Sequence, residues 1–466
     1  MEGEEVEDQG QCSISTTWVI TEKKGEEGMQ IKARLVARGY EEENKVRSDS
    51  PTCLKDSIRL MLFFAASMGW KIQSLDVKAA FLQGQAIERD LYVKPPKEFR
   101  KDGILWKLKK VVYGLNDASR AWYLRVKEVV QNLKMKPSQL DKAVFVPAVD
   151  GVQGFIIIHV DDLLFFGSEK FLQQVIKPFK ETFKISKEEK EVFKYVGIKI
   201  TQKGATIRMD QNQYLSSLQG DLLMEEKKKD KDRYADESEI KILRQAVGQL
   251  GWLANISKPE GSYMHCTLST VQSKPQVKDF AKYKKIISEL KNSNSCITMK
   301  PLDLTSLRVT AYCDASFGSL VGGASQLGYI IFIRDAKGEA VPISWSSKKS
   351  KRVCRSALTA ETLAAVEAID AAFVVQRMIE DILRRNISPI ELVTDSKSLY
   401  DTAKTSNVIA DKRLLIDMAA IRELVDAHQL NMKWVKTEEQ LADVLTKNGV
   451  NKTKLTEVLR TGKLHI

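Results

Sequence analysis

Cysteine is scarce and scattered. The six stand at positions 12, 53, 266, 296, 313 and 354 of 466, with no CxxC pair. That pattern supports neither a zinc site nor a disulfide framework and suits a reducing interior. Long apolar runs are missing too: stretches such as LMLFFAASMGW are too short to span a bilayer. The first ten residues, MEGEEVEDQG, are acidic, which is wrong for a signal peptide or an Arg-rich transit peptide. There is no internal repeat. What the chain does have is a hydrophobic fraction of 43%, ample for buried cores, which excludes a disordered chain. Its length predicts two or more domains. Lys and Arg outnumber Asp and Glu by 73 to 61, a formal charge of +12. That favours a polyanionic partner, although basic charge also serves solubility.

The most informative segment is FIIIHVDDLLFF at 155–166. Two apolar, β-branched and aromatic runs flank Asp161 and Asp162, as hairpin arms flank a turn. Folding gives no reason for two adjacent carboxylates there. Like charges that close repel unless a cation neutralises them, and a divalent metal held for phosphoryl transfer is the natural one. The alternative is a solvated Asp-Asp turn. Upstream, IQSLDVKAAFLQG ends a short apolar stretch at Asp76. A strand carrying Asp76 beside the 161–162 hairpin gives three carboxylates around one or two magnesium ions.

In order, LDVKAAFLQG, LYVKPP, LWKLKKVVYGLNDASRAWY and HVDDLLFFGS resemble the reverse transcriptase of copia-type LTR retrotransposons, with KARLVARGY at 32–40 and KYVGIKI at 194–200 fitting before and after. The resemblance implies an α+β right-hand polymerase: fingers and palm over 14–205, then thumb and connection over 206–303. It implies that Asp76 and Asp161 carry most of the metal ligation, with Asp162 the least certain ligand and the Val77 carbonyl an additional one. Phe81 takes the sugar-gate position, where a bulky ring clashes with a 2′-hydroxyl; the alternative is an ordinary core aromatic. Lys32 and Arg34 are triphosphate clamps, since an ammonium or guanidinium pairs with phosphate oxygens, or else they line a solvated strand face. Gly114 permits close backbone approach to nucleotide or template. Arg120 and Trp122 contact template or merely pack. KYVGIKI resembles the hairpin that grips the primer end. Two positions depart from the family: His159 replaces a tyrosine, and Ser119 replaces a proline in what reads as a loop made less rigid by the change. WVITEK matches the family's second Trp-containing segment, so the strand and loop before it are expected to be missing.

Local patterns fill in the rest. SIRLMLFFAASMGW and AWYLRVKEVVQNL read as amphipathic helices. Residues 221–241 read as a charge-dense exposed loop. The next helix carries Leu243, Val247, Leu250 and Leu253 on one side, and 274–303 reads as a helix and a linker. From 307 the pattern becomes strand, strand, helix, strand, helix, strand, helix, a separate α/β domain over 304–450. Asp314 lies in a strand followed by glycines, Glu361 in the first turns of an alanine-rich helix, Asp395 at a strand end, and Asp443 on a helix after the next strand. This order, with ISWSSKKS and LADVLTK, is similar to the ribonuclease H domain of the same elements, an α/β fold with a mixed sheet. Four carboxylates there hold two magnesium ions astride a phosphate. The histidine that many such nucleases place before the last aspartate is missing. Lys348, Lys349, Lys351 and Arg352 either track a hybrid backbone or form a solvated loop.

The implied protein is an RNA-directed DNA polymerase with hybrid ribonuclease activity, using Mg²⁺ or Mn²⁺. Its partners are an RNA template, a DNA primer or RNA–DNA hybrid, and deoxynucleoside triphosphates, with no membrane. The implied location is the cytoplasm, in a virus-like particle with nuclear entry. No CCHC knuckle, integrase His/Cys pairs or protease-like Asp-Ser/Thr-Gly is present. Two rivals remain: a truncated or host-retained copy that binds nucleic acid without polymerising, and a nuclease whose polymerase half serves as a clamp.

Overall fold

The computed structural model describes residues 2–25, 28–148, 153–405, 409 and 411–465. The chain divides into two compact units, Met1–Ser57 with Lys71–Lys190, and Ile58–Trp70 with Glu191–Ile466.

The first unit opens with strands β1 (Gly3–Glu7) and β2 (Ser13–Ile14) and the hairpin β3 (Thr16–Gly25) and β4 (Gly28–Ala37). Helix α1 (Lys55–Ser67) starts in this unit and passes into the second, and β5 (Lys71–Val77) follows it. Then come β6 (Tyr92–Val93), β7 (Ile104–Leu108), α2 (Ala118–Asn132), β8 (Met135–Pro137), β9 (Val144–Pro147), β10 (Gly154–His159), β11 (Asp162–Gly167), α3 (Glu169–Thr182) and β12 (Ile185–Lys190). Six strands form one sheet in the order β12-β5-β11-β10-β9-β8, and four form another in the order β1-β7-β6-β2. The strands before WVITEK are thus present, contrary to the sequence expectation: β1 pairs antiparallel with β7, from Gly3 opposite Leu108 to Glu7 opposite Ile104. The acidic composition of GEEVE hid it, because an edge strand with exposed side chains carries no apolar alternation. The unbroken apolar runs of β10 and β11 are buried on both faces of the central sheet, where α2 and α3 supply Trp122, Val126, Val130, Phe171, Val175 and Phe179 to the same core.

In the second unit, β13 (Val192–Tyr195), β14 (Ile198–Lys203) and β15 (Thr206–Asp210) form a meander. Helices α4 (Asn212–Ser217), α5 (Glu237–Ile256), α6 (Ser262–Val271) and α7 (Val277–Ser293) follow, and β16 (Ile297–Met299) returns to pair with β15. The KYVGIKI segment is the β13–β14 hairpin, turning at Val196 and Gly197, both with positive φ. Part of the charged stretch read as a loop is helical: α5 begins at Glu237, where Asp236 and Glu239 close a capping box. The rest of the second unit comprises β17 (Arg308–Leu320), β18 (Ala324–Arg334), β19 (Ala340–Lys349), α8 (Ala357–Leu383), β20 (Ile390–Thr394), α9 (Lys397–Lys404), α10 (Lys412–Asp426), β21 (Leu430–Trp434) and α11 (Thr453–Thr461). Its sheet runs β19-β18-β17-β20-β21, antiparallel among the first three and parallel from β17 onward, a mixed sheet. A third strand therefore precedes α8, and two helices rather than one join β20 to β21.

Helix α1 corrects a second expectation. It is not amphipathic: from Ser57 to Ala66 every side chain is buried, Arg59 included at 0% exposure. A buried guanidinium must have its donors satisfied. Arg59 donates to the carbonyls of Ile343 at 2.6 Å, Ile256 at 3.0 Å and Asn255 at 3.2 Å, and lies 3.9 Å above the Trp345 ring. Among the described residues no helix is long and apolar enough to cross a membrane.

Candidate active sites

The first acidic group is built by strand register. β11 pairs antiparallel with β5 so that Asp162 stands directly opposite Asp76, and Leu163 opposite Leu75. Directly opposed residues share a face, with Cβ atoms about 5 Å apart. β10 and β11 close on His159 opposite Asp162, leaving Val160 and Asp161 as a two-residue turn. Val160 has φ +57°, a left-handed conformation that costs a β-branched residue about 1–2 kcal/mol. Two contacts hold it. The Trp122 indole N–H donates to the Val160 carbonyl, and the Val77 N–H donates to the Asp161 carbonyl at 3.3 Å. Trp122 is 1% exposed with its ring 4.9 Å from Phe183, so it packs in the core beneath the turn. Arg120 is engaged by Asp49, at 3.0 Å to the carboxylate and 3.2 Å to the carbonyl.

Asp161 is exposed, and Asp76 and Asp162 are half-buried. The Asp76 carboxylate lies against the Ser186 hydroxyl of β12, which also sits 2.9 Å from the Asp76 carbonyl. Burial pushes the His159 imidazole down from its ordinary pKa, which disfavours its charged form. One residue that sequence reasoning passed over, Tyr113, joins the parts together. Its ring centroid is 5.3 Å from that of Phe81, and the Arg34 guanidinium is 5.9 Å from its centre. Burial raises the Tyr113 phenol pKa, Arg34 opposes that, and the charges of Asp161 and Asp76 add to it. Lys32 is exposed two residues from Arg34, on the same face of β4. The motif YGLNDASRAWY carries Tyr113 directly before Gly114. The close approach that demands Gly114 (φ +93°) comes from within the protein: a Cβ there would lie 2.0 Å from the Ala37 carbonyl oxygen. Ser119 is not in a loop either. It is the second residue of α2, where a proline and a serine both fit because first-turn N–H groups need no helical partner.

The second acidic group is drawn together in space. Asp314 lies in the central strand β17, Asp395 follows β20, and Asp443 lies in the one-turn 3₁₀ helix Leu441–Leu445. Carboxylate oxygens of these three come within 4.8 Å of one another, and among the described residues this is the one group of three that does so. Glu361, in the second turn of α8, faces them. One of its oxygens, Oε2, is buried without a hydrogen-bond partner. Burial, then the charges of Asp314 and Asp395, pushes Glu361 up to about 9. Burial pushes Asp314 up to about 7 against the pull of Lys447, and raises Asp443 as well. A partly buried, all-oxygen donor set with an unpartnered carboxylate oxygen fits a hard divalent cation. In the basic run, Lys348 pairs with Glu367 at 2.5 Å and Arg352 with Asp417 at 2.8 Å.

Residues 6–230 match the family described as reverse transcriptase (RNA-dependent DNA polymerase). Over 457 residues the chain is 29% identical to the retrovirus-related Pol polyprotein from transposon RE1 of Arabidopsis thaliana, covering 93% of this chain and 30% of that relative. Over 471 residues it is 28% identical to the corresponding polyprotein from transposon TNT 1-94 of Nicotiana tabacum, covering 94% and 35%. Over most of its length the chain is thus similar to these transposon Pol polyproteins, and over its first half to the reverse transcriptase family. It spans about a third of the length of those curated relatives. The fold is similar to that of a foamy viral protease-reverse transcriptase solved in complex with ds DNA, with a TM-score of 0.58 at 14% identity, covering 93% of this chain and 67% of that one. The chain thus has the fold class expected from its sequence, an α+β fold of the right-hand polymerase type followed by an α/β fold with a mixed sheet.

Proposed function

We propose that this chain is an RNA-directed DNA polymerase that also cleaves the RNA strand of an RNA–DNA hybrid. The observation that carries the reading is the pairing of Asp76 with Asp162 beneath a turn whose tip, Asp161, shares one pocket of charge with Arg34, Phe81 and Tyr113. Divalent magnesium, when bound, lowers the pKa of an attacking hydroxyl or water and steadies the leaving oxygen. Asp76, Asp161 and Asp162 hold it in the first unit, with the Val77 carbonyl as a further ligand; Asp314, Glu361, Asp395 and Asp443 hold it in the second. Lys32 and Arg34 grip the triphosphate of a deoxynucleotide. The Phe81 ring, steadied by Tyr113, fills the space a 2′-hydroxyl would need. Ser186 orients the Asp76 carboxylate. In the second site the buried carboxylates orient a water for in-line attack, and 2′-hydroxyl contacts restrict cutting to the RNA strand. The partners are an RNA template, a DNA primer or RNA–DNA hybrid, and deoxynucleoside triphosphates.

Primer extension on poly(rA)/oligo(dT) with Mg²⁺ or Mn²⁺ tests the polymerase reading, and cleavage of a labelled hybrid tests the nuclease. Incorporation and cleavage are both expected. One observation favours a second reading, a copy that binds nucleic acid without polymerising: the first-unit carboxylates do not form a ligand group as tight as the second's. Hybrid binding with no incorporation under either ion would establish it.

A further inference from the structure

The second acidic group already contains a cation of its own. Lys447 Nζ lies 2.7 Å from Asp443 Oδ1 and 3.3 Å from Asp314 Oδ1. Its delivery is rigid. The Lys447 N–H bonds the Asp443 carbonyl at 3.0 Å, and Thr446 beside it, fully buried, places its hydroxyl on the other Asp314 oxygen. The backbone just before it is pressed against β18, where a Cβ on Gly328 would lie 2.6 Å from the Thr446 methyl and 2.8 Å from Leu445 Cβ. Ser347 Oγ, at 2.5 Å, donates to the Leu445 carbonyl. The ammonium bonds only part of the cluster. Its hydrogen bonds go to Asp314 and Asp443, while the Glu361 Oε2 atom has no hydrogen-bond partner among the described residues. The lysine also has somewhere to go: it lines a cavity of about 610 Å³ together with Glu260, Asn292, Asn448 and Asn451.

We propose that Lys447 is a tethered cation that occupies the Asp314–Asp443 half of the cluster and must swing into the adjoining cavity before a second divalent ion can enter. The first ion takes the Asp314–Glu361–Asp395 half, the second competes with the lysine, and loading is therefore sequential. Lys447 is a positioning residue: it keeps two buried carboxylates together when the metal is absent. This inference rests on the reading of the cluster as the cation site of a nuclease.

The test is titration calorimetry with Mn²⁺ on the full chain carrying Asp76→Asn and Asp161→Asn, so that the other acidic group is silent. It is paired with thermal unfolding in chelator and in Mn²⁺. Asp395→Asn should abolish the heat and so assign it to the cluster. In Lys447→Met the weaker of two binding events should tighten by about tenfold or more, because a positive charge within bonding distance of both ligands is gone. Its unfolding midpoint should fall in chelator and recover in Mn²⁺, whereas Lys447→Arg should keep both the parent's midpoint and its weak second event. A midpoint lowered equally with and without metal, with binding unchanged, would make Lys447 an ordinary structural ion pair and overturn the proposal while leaving the nuclease reading intact. No heat that Asp395→Asn removes would overturn both.

Discussion

Asp161 stands exposed at the tip of a strained hairpin, whereas Asp314 is 1% exposed in the central strand of a five-stranded sheet. The two acidic groups therefore meet the same electrostatic difficulty in different ways. In the first, water screens the carboxylates, one of them rests on a hydroxyl, and the backbone carries the strain. In the second, burial raises the pKa of Asp314 and Glu361, and Asp314 and Asp443 take a lysine as counter-charge. The lesson is that an exposed group can wait for a substrate to bring its cation, while a buried one must be compensated from within until an ion arrives.

The sharpest way to break this comparison is to disable one group at a time. Glu361→Gln should lower hybrid cleavage by about 10³-fold or more, since a lost ligand weakens charge stabilisation by several kcal/mol, and leave primer extension within about twofold. Asp161→Asn should do the reverse. Loss of both activities in either variant would mean that the groups are not separate.

A second contrast lies in pH. Glu361 is held at about 9 against an ordinary 4.5, and Asp314 at about 7 against 3.8. The folded chain thus keeps protons that the unfolded chain releases, so this stability is complete below about pH 4 and is lost as pH climbs toward 9. Without metal, urea midpoints of the parent should fall relative to Glu361→Gln between pH 5 and pH 9, and Mg²⁺ should reverse the trend by binding the ionised form. A relative rise between those pH values would contradict the burial argument.

Smaller effects probe the hairpin. Trp122→Phe removes the donor to the Val160 carbonyl and should cost about 1–3 kcal/mol of stability, with extension reduced and hybrid cleavage unchanged. Val160→Gly relieves the left-handed strain and should raise stability by about 1 kcal/mol in urea unfolding; a loss would show that the strain assignment is wrong.

The parts of this molecule that could be read beforehand are those in which local pattern and function coincide. Apolar arms around Asp161–Asp162 give a hairpin, and Asp314 within a strand, Glu361 near a helix start and Asp395 at a strand end follow from local pattern. What could not be read depends on distant partners. SIRLMLFFAASMGW reads as an amphipathic helix because the acceptors that let Arg59 be buried lie about 200 and 285 residues away in sequence. Gly114 reads toward a ligand from sequence because nothing local reveals the Ala37 carbonyl. Strand β1 has no alternation to betray it, and the Lys447 bridge to Asp314 spans 133 positions.

The most direct test of two separate cation cradles is anomalous diffraction from crystals soaked in Mn²⁺ with primer, template and a deoxynucleotide. The account predicts one set of peaks between Asp76 and the 161–162 turn and another among Asp314, Glu361, Asp395 and Asp443. Manganese bound elsewhere, with neither group occupied, would contradict it.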